Sequence, residues 1–262
     1  MLDEVLAKGK STLQTVTQVR WWTDRLLTFT TTRPAEYSFV AGQYARLGLP
    51  DRNDVIWRAY SMTSAPGTDS LEFYGILVEG GRFTSLLKHI QPGSPLLIEK
   101  QPFGFMTPDR FTGGDDLWML STGTGVGPFI ALLRDGEVWT RFKRLILVHC
   151  VRHKEELCYT EELEAMARQD AQAGRARLQL LRLVTRESTL APPADLQGRI
   201  TDLLRNGELE RTAGVALSDE ASRIMLCGNP DMIEDTRRLL HERGLRPVRR
   251  ALPGHFLTEN YW

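Results

Sequence analysis

Cysteine is scarce in this chain: Cys150, Cys158 and Cys227 are the only three among 262 residues, and no two form a C-x-x-C pair. An odd count at these spacings argues against a disulfide framework. Four thiolates are normally needed to hold an iron–sulfur cluster, so the chain carries none of its own, and no metal site is expected. Net charge is lacking too, since 33 Lys and Arg balance 33 Asp and Glu. The balance is even along the chain, with 11 basic against 10 acidic residues up to position 108 and 22 against 23 beyond it. Neither a basic nucleic-acid arm nor an acidic tail fits that distribution, and no nucleic-acid partner is expected. No apolar run approaches the ~18 residues of a membrane span. The opening Met-Leu-Asp-Glu-Val-Leu-Ala-Lys-Gly-Lys also lacks the basic start and apolar stretch of a signal peptide. A cytoplasmic protein with no membrane association is the expectation.

What is present is ordinary globular material, 42% hydrophobic and 25% charged, in a chain long enough for one large domain or two ordinary ones. Two rhythms divide it. Residues 11–21, 26–32, 43–49, 57–62, 71–78 and 95–99 are short β-type runs punctuated by Pro34, Gly42, Pro66 and Gly93. Six such runs predict an antiparallel β-barrel, with one short helix over residues 83–90 at its mouth. Thr107-Pro-Asp-Arg-Phe-Thr-Gly-Gly-Asp-Asp116 is a polar connection, and beyond it the pattern changes. Residues 117–122, 145–151, 178–184 and 223–227 are near-continuous apolar runs of the kind buried on both faces of a parallel sheet. Helical spacing over residues 155–169 and 230–243, the latter closed by Gly244, completes an α/β doubly wound parallel-sheet domain. The predicted boundaries are 1–108 for the barrel domain and 109–262 for the α/β domain.

Ser121-Thr-Gly-Thr-Gly-Val-Gly-Pro-Phe129 joins the first apolar strand of the second half to a helical run. Its glycines let the backbone turn tightly and approach a pyrophosphate, and Pro128 suits a first helical turn. The spacing is G-x-G-x-G-P, which serves tight packing as readily as phosphate binding. Arg58-Ala-Tyr-Ser61 ends a barrel strand with a cation, an aromatic ring and a hydroxyl. A flavin uses all three: the cation for its pyrophosphate, the ring against the isoalloxazine, the hydroxyl near the ring nitrogen that receives hydride. The same residues also suit a plain strand with a surface arginine and a packed tyrosine. Gly80-Gly-Arg-Phe-Thr-Ser85 opens the barrel helix, with amides and hydroxyls well placed for a phosphate. Cys227-Gly-Asn-Pro230 ends a buried strand at the carboxyl edge, where open α/β sheets bind ligands, although most free cysteines are simply small core residues. The ending Thr258-Glu-Asn-Tyr-Trp262 is too apolar to be left in water and is expected to pack onto something flat.

The ordered set of Arg58-Ala-Tyr-Ser61, Gly81-Arg-Phe-Thr84, Thr122-Gly-Thr-Gly-Val-Gly-Pro128, His149-Cys-Val-Arg152, Cys227-Gly-Asn-Pro230 and the Tyr261-Trp262 end resembles the ferredoxin/flavodoxin:NADP reductase family in its bacterial branch. The resemblance covers nearly the whole chain. It implies an FAD-binding barrel followed by an NADP-binding domain whose C-terminal tail returns to the flavin. Arg58, Ala59, Tyr60 and Ser61 look like the flavin-site set, with Ser61 near N5 and Tyr60 stacked on the ring. Tyr74, Gly75, Ile76 and Leu77, with Arg82, Phe83 and Thr84, correspond to segments holding the rest of FAD. Thr124 falls where the two cofactors approach, and Cys227 where the nicotinamide docks, with Val151, Thr185, Gly228 and Asp231 as further cofactor positions. Arg152 is left between FAD and NADP. Arg186 and Arg199 match positions that hold the adenosine 2′-phosphate. The tail departs from the plant-type pattern because Trp262 follows Tyr261, and Glu259 matches a family glutamate with a surface role as its rival. Arg243, Arg246, Arg249 and Arg250 suit a solvated face or a docking patch for an acidic carrier.

The implied activity is FAD-dependent exchange of hydride with NADP(H) and of single electrons with a ferredoxin or flavodoxin, in a protein expected to be a monomer. Ser61, Tyr60, Cys227 and Glu259 are the candidate catalytic residues. The rivals are a reductase component serving an oxygenase or dehydrogenase, and a nucleotide-binding sensor without turnover.

Overall fold

Runs rich in Thr, Val and Trp favour extended backbone because branched and aromatic side chains pack well on a pleated surface. In the computed structural model, which describes residues 2–169, 175–250 and 252–261, the first half obeys that rule. A short helix α1 (Leu2–Ala7) precedes β1 (Ser11–Trp21), β2 (Leu26–Thr32), β3 (Tyr44–Asp51), β4 (Asp54–Ser61) and β5 (Ser70–Ile76). Helix α2 (Arg82–Leu87) and β6 (Pro95–Glu99) follow. The six strands form one antiparallel sheet in the order β4-β3-β6-β1-β2-β5. Its two edge strands meet through a bridge between Met62 and Phe73 and a 2.8 Å hydrogen bond from Thr63 N to Glu72 O, so the sheet curls into a barrel. Phe29, Leu47, Leu71, Phe73, Phe83 and Ile98 fill it.

The second half contains β7 (Asp116–Thr122), α3 (Gly127–Asp135), α4 (Glu137–Arg141), β8 (Arg144–Val151), α5 (Thr160–Gln169), β9 (Arg177–Val184) and β10 (Leu196–Gln197). Helices α6 (Ile200–Arg205) and α7 (Glu208–Ala213), β11 (Ser222–Gly228), α8 (Pro230–Glu242) and β12 (Phe256–Asn260) complete it. All six strands pair in parallel, in the order β10-β9-β8-β7-β11-β12. Every residue of β11 is buried, Arg223 included, which explains the near-continuous apolar run. Chain order reverses at β7, whose neighbours are β8 on one side and β11 on the other, and such switch points open a crevice at the carboxyl ends.

By contacts the chain divides into two compact units, Met1–Thr107 with Ile130–Asp135, and Pro108–Phe129 with Gly136–Trp262. Among the described residues, no helix is long and apolar enough to cross a membrane, and no cluster of His, Cys, Asp and Glu could hold a metal ion.

One local expectation is corrected, and two further features are visible only in the fold. The predicted helix over residues 155–169 is a 3-10 turn at Lys154–Glu156 and then α5, because Tyr159 takes a left-handed φ of 63° between them. Arg199 is the N-cap of α6, its own backbone still extended. The C-terminal segment is an edge strand laid along β11, extended by a 2.9 Å bond from Tyr261 N to Gly228 O. Trp262 lies outside the described residues.

Candidate functional site

At the switch point, the Gly-rich segment forms a 3-10 turn, Gly123–Val126, leading into α3. Its fit against β11 leaves no room for side chains. A Cβ on Gly125 would lie 2.4 Å from the carbonyl oxygen of Cys227, and one on Gly228 would lie 2.2 Å from Thr122 Oγ1. Thr122 Oγ1 accepts a 2.8 Å bond from Asn229 N, tying the ends of β7 and β11 together. Asn229 then caps α8, its Oδ1 accepting from Asp231 N at 2.9 Å and Met232 N at 3.2 Å. Thr124 and Cys227, at the carboxyl ends of β7 and β11, are both buried rather than exposed. Burial pushes the Cys227 thiol well above its ordinary pKa, the Glu259 carboxylate raises it further, and a hydrogen bond from the Tyr261 side chain partly offsets both. The thiol is therefore held in its protonated form. Register pairing of Cys227 with Glu259 brings together three residues that the sequence separates by up to a whole helix.

Beneath the Gly-rich turn, the buried ring of His149 on β8 places Nε2 3.0 Å from Gly123 O. Burial lowers its pKa to about 4, a carbonyl bond and the Glu156 charge only partly opposing this. Farther along the carboxyl edge, Thr185 N and Oγ1 both donate to Val151 O, at 3.1 and 3.2 Å. Arg186 N donates to Arg152 O at 2.9 Å. Val184 and Gln197 form one rung between β9 and β10, and Arg186 and Arg199 each lie two residues beyond it. Both are exposed, and neither has a carboxylate partner among the described residues. Arg152 differs, since its guanidinium meets Glu156 Oε1 at 2.7 Å and its amide donates to Glu156 Oε2 at 3.0 Å. Burial raises the Glu156 pKa, but these bonds and the Arg152 charge outweigh it and hold the carboxyl below its ordinary value.

In the barrel unit, the end of β4 exposes Arg58 and Ala59, half-buries Tyr60 and buries Ser61. The Tyr60 ring lies across Gly75, where a Cβ would come within 2.9 Å of it, and packs 6.0 Å from Phe29 and 5.3 Å from Phe83. This ring links Arg58–Ser61 to both other barrel segments singled out in the sequence, residues 74–77 and 82–84. Burial raises the Tyr60 hydroxyl pKa against the lowering effect of Arg58. Tyr74 is buried, and Leu77 is clasped by Arg25, whose carbonyl accepts from Leu77 N at 2.8 Å and whose Nη2 donates to Leu77 O at 3.2 Å. Thr84 Oγ1 closes the preceding turn by donating to Val78 O at 2.9 Å, and Phe83 is in the core. Arg82 meets Asp51 Oδ2 at 3.1 Å and Asp54 Oδ2 at 3.8 Å, while Arg58 has no carboxylate partner among the described residues. Arg25, Asp51, Asp54 and His149 carry no signal along the chain, because each acts through a partner that folding brings from far in sequence, whereas Glu156 follows Arg152 at a four-residue spacing that could have suggested the pair.

A family model described as an oxidoreductase NAD-binding domain matches residues 119–238. The chain is 37% identical over 252 residues to ferredoxin–NADP reductase A of Sorangium cellulosum, covering 95% of this chain and 89% of that protein. It is 38% identical over 248 residues to the flavodoxin/ferredoxin–NADP reductase of Escherichia coli, covering 94% and 97%. Its fold matches the crystal structure of a ferredoxin NADP+ reductase from Neisseria gonorrhoeae with bound FAD and NADP, at a TM-score of 0.89, 36% identity and coverage of 96% and 98%.

Proposed function

The chain belongs to the ferredoxin/flavodoxin–NADP reductase family, and on that premise we propose which of its residues serve the reaction. It is an FAD-dependent oxidoreductase that exchanges two electrons with NADP(H) and single electrons with a ferredoxin or flavodoxin. When bound, the flavin supplies the conversion between two-electron and one-electron chemistry.

The residues present fit both nucleotides. Residues 1–108 serve FAD and residues 109–262 serve NADP(H). Arg58 takes the flavin pyrophosphate, Tyr60 offers its ring and Ser61 orients the reactive edge, with Tyr74, Gly75, Ile76, Leu77, Phe83 and Thr84 shaping the remainder. Arg82 reaches a phosphate only by leaving Asp51 and Asp54. Cys227 and Gly228 wall the nicotinamide pocket, which excludes water and holds the ring in a reactive pose, and the Gly-rich turn carrying Thr124 receives the coenzyme pyrophosphate beside it. The N-terminus of α8 at Asp231 and the Val151–Thr185 edge border the coenzyme. Arg186 and Arg199 read the 2′-phosphate.

The observation that carries this assignment is the pattern of neutralisation. Arg82 and Arg152 already hold carboxylates, whereas Arg58, Arg186 and Arg199 hold none among the described residues, and a cation left unpaired at a sheet edge is available to an anion. Purified protein is expected to be yellow and to bleach rapidly with NADPH under anaerobic conditions, faster than with NADH, and then to reduce a ferredoxin or flavodoxin in a stopped-flow mixture. A colourless protein that binds NADPH without turnover would support the sensor reading instead. A cytoplasmic monomer is part of the same proposal, checked by fractionation and gel filtration.

A further inference from the structure

The Gly-rich turn is held from below by a buried side chain of β8. His149 stands on β8 in register with Ser121 of β7, is 3% exposed, and has Nε2 3.0 Å from the carbonyl oxygen of Gly123. With its pKa at about 4 the ring is neutral, so a nitrogen facing a carbonyl must carry the proton and donate it. Together with the ring, Leu147, Thr160, Leu163, Leu180 and Arg182 line a small cavity. Arg182 is occupied by Asp195, through bonds of 2.9 and 3.0 Å, and by Glu164.

The accepting carbonyl belongs to the peptide between Gly123 and Thr124. In a trans peptide the C=O and N–H point in opposite directions, so drawing Gly123 O towards β8 turns Thr124 N–H the other way. Gly123, at φ +53°, lets that peptide tilt on its N-terminal side, whereas full reversal would force the β-branched Thr124 to positive φ. Tilted, its amide would no longer point where an anion has to sit. We propose that His149 is a positioning residue of the coenzyme site, fixing the tilt of the Gly123–Thr124 peptide so that its amide points at the NADP(H) pyrophosphate. This rests on the reading that the turn receives that pyrophosphate.

The test compares H149L, which removes the donor, with H149Q, whose amide nitrogen restores one at similar reach. NADPH kinetics are measured together with binding of adenosine 2′-monophosphate, which lacks the pyrophosphate. H149L is expected to raise KM for NADPH about five- to tenfold, the loss of one hydrogen bond, with kcat nearly unchanged and 2′-AMP affinity unchanged. H149Q is expected to recover most of that loss. In the wild-type protein the Thr124 amide resonance is expected to move on adding NADP+ and to stay still with 2′-AMP, a readout that survives if H149L does not fold. An unchanged KM in H149L, a parallel loss for NADPH and 2′-AMP, or no recovery in H149Q would each overturn the role. A wild-type Thr124 resonance that stays still on adding NADP+ would instead overturn the reading beneath it.

Discussion

Replacing Gly125 with alanine places one methyl group where backbone already lies. The added carbon would sit 2.4 Å from the Cys227 carbonyl oxygen, 2.7 Å from its carbon and 2.9 Å from Gly228 Cα. Carbon–oxygen contacts are normally no closer than about 3.3 Å, so the turn and the end of β11 must part by about 1 Å. Neither side yields alone: β11 is hydrogen-bonded to both β7 and β12, and the turn is anchored through His149. Overpacking of this kind costs about 1–3 kcal/mol. For a chain of this size that lowers Tm by roughly 2–10 °C. The functional effect should be larger, because a misplacement of about 1 Å at a reacting pair can cost about a hundredfold in rate. G125A is therefore expected to retain FAD, since Gly125 lies outside the barrel unit, and to lose most of its anaerobic flavin reduction by NADPH in stopped-flow traces. A reduction rate within about twofold of wild type, less than ~0.5 kcal/mol in the barrier, would refute the claim that this close approach holds the coenzyme site.

R186A/R199A removes the two unpaired cations beyond the Val184–Gln197 rung. Charge-assisted bonds of about 1.5–3 kcal/mol, discounted to roughly 1 kcal/mol each for exposure, predict a combined rise in NADPH KM of about thirtyfold with NADH kinetics unchanged; equal losses with both coenzymes would mean the arginines support the fold. S61A should keep its FAD and slow single-turnover reduction about tenfold, and an unchanged rate removes Ser61 from the mechanism. His149 has a folded pKa of about 4 against an ordinary 6.5, so below pH 6.5 the unfolded chain binds a proton that the folded chain refuses. Its contribution is flat above that pH and declines towards pH 4, by up to about 3 kcal/mol. Urea unfolding of wild type and H149Q from pH 7 to 4 measures it, and identical pH slopes would refute it.

Local pattern alone determined much of the architecture. The runs at Ser11–Trp21, Leu26–Thr32 and Pro95–Glu99 have the expected bounds, and the parallel strands differ by a residue or so at their ends, because burial on one face or both imprints a period on consecutive side chains. The ordered motifs pointed to the family for a related reason: the close approaches at Gly125 and Gly228 require glycine whatever surrounds them. Segments without a strong local pattern escaped, among them α4, α6, α7 and the edge strand β12, whose form depends on neighbours far along the chain. So did the chemistry of the individual arginines. In sequence Arg58, Arg82, Arg152, Arg186 and Arg199 are equivalent cations. Folding brings Asp51 to Arg82 across 31 positions and turns Glu156 back onto Arg152, while leaving the other three without carboxylates among the described residues. The bond between His149 and Gly123, 26 positions apart, is likewise tertiary. Charge balance is a property of composition, but which cation is free to meet an anion depends on what folding places within about 4 Å of it, and apart from a local pair such as Arg152 and Glu156 no spacing along the chain contains that distance.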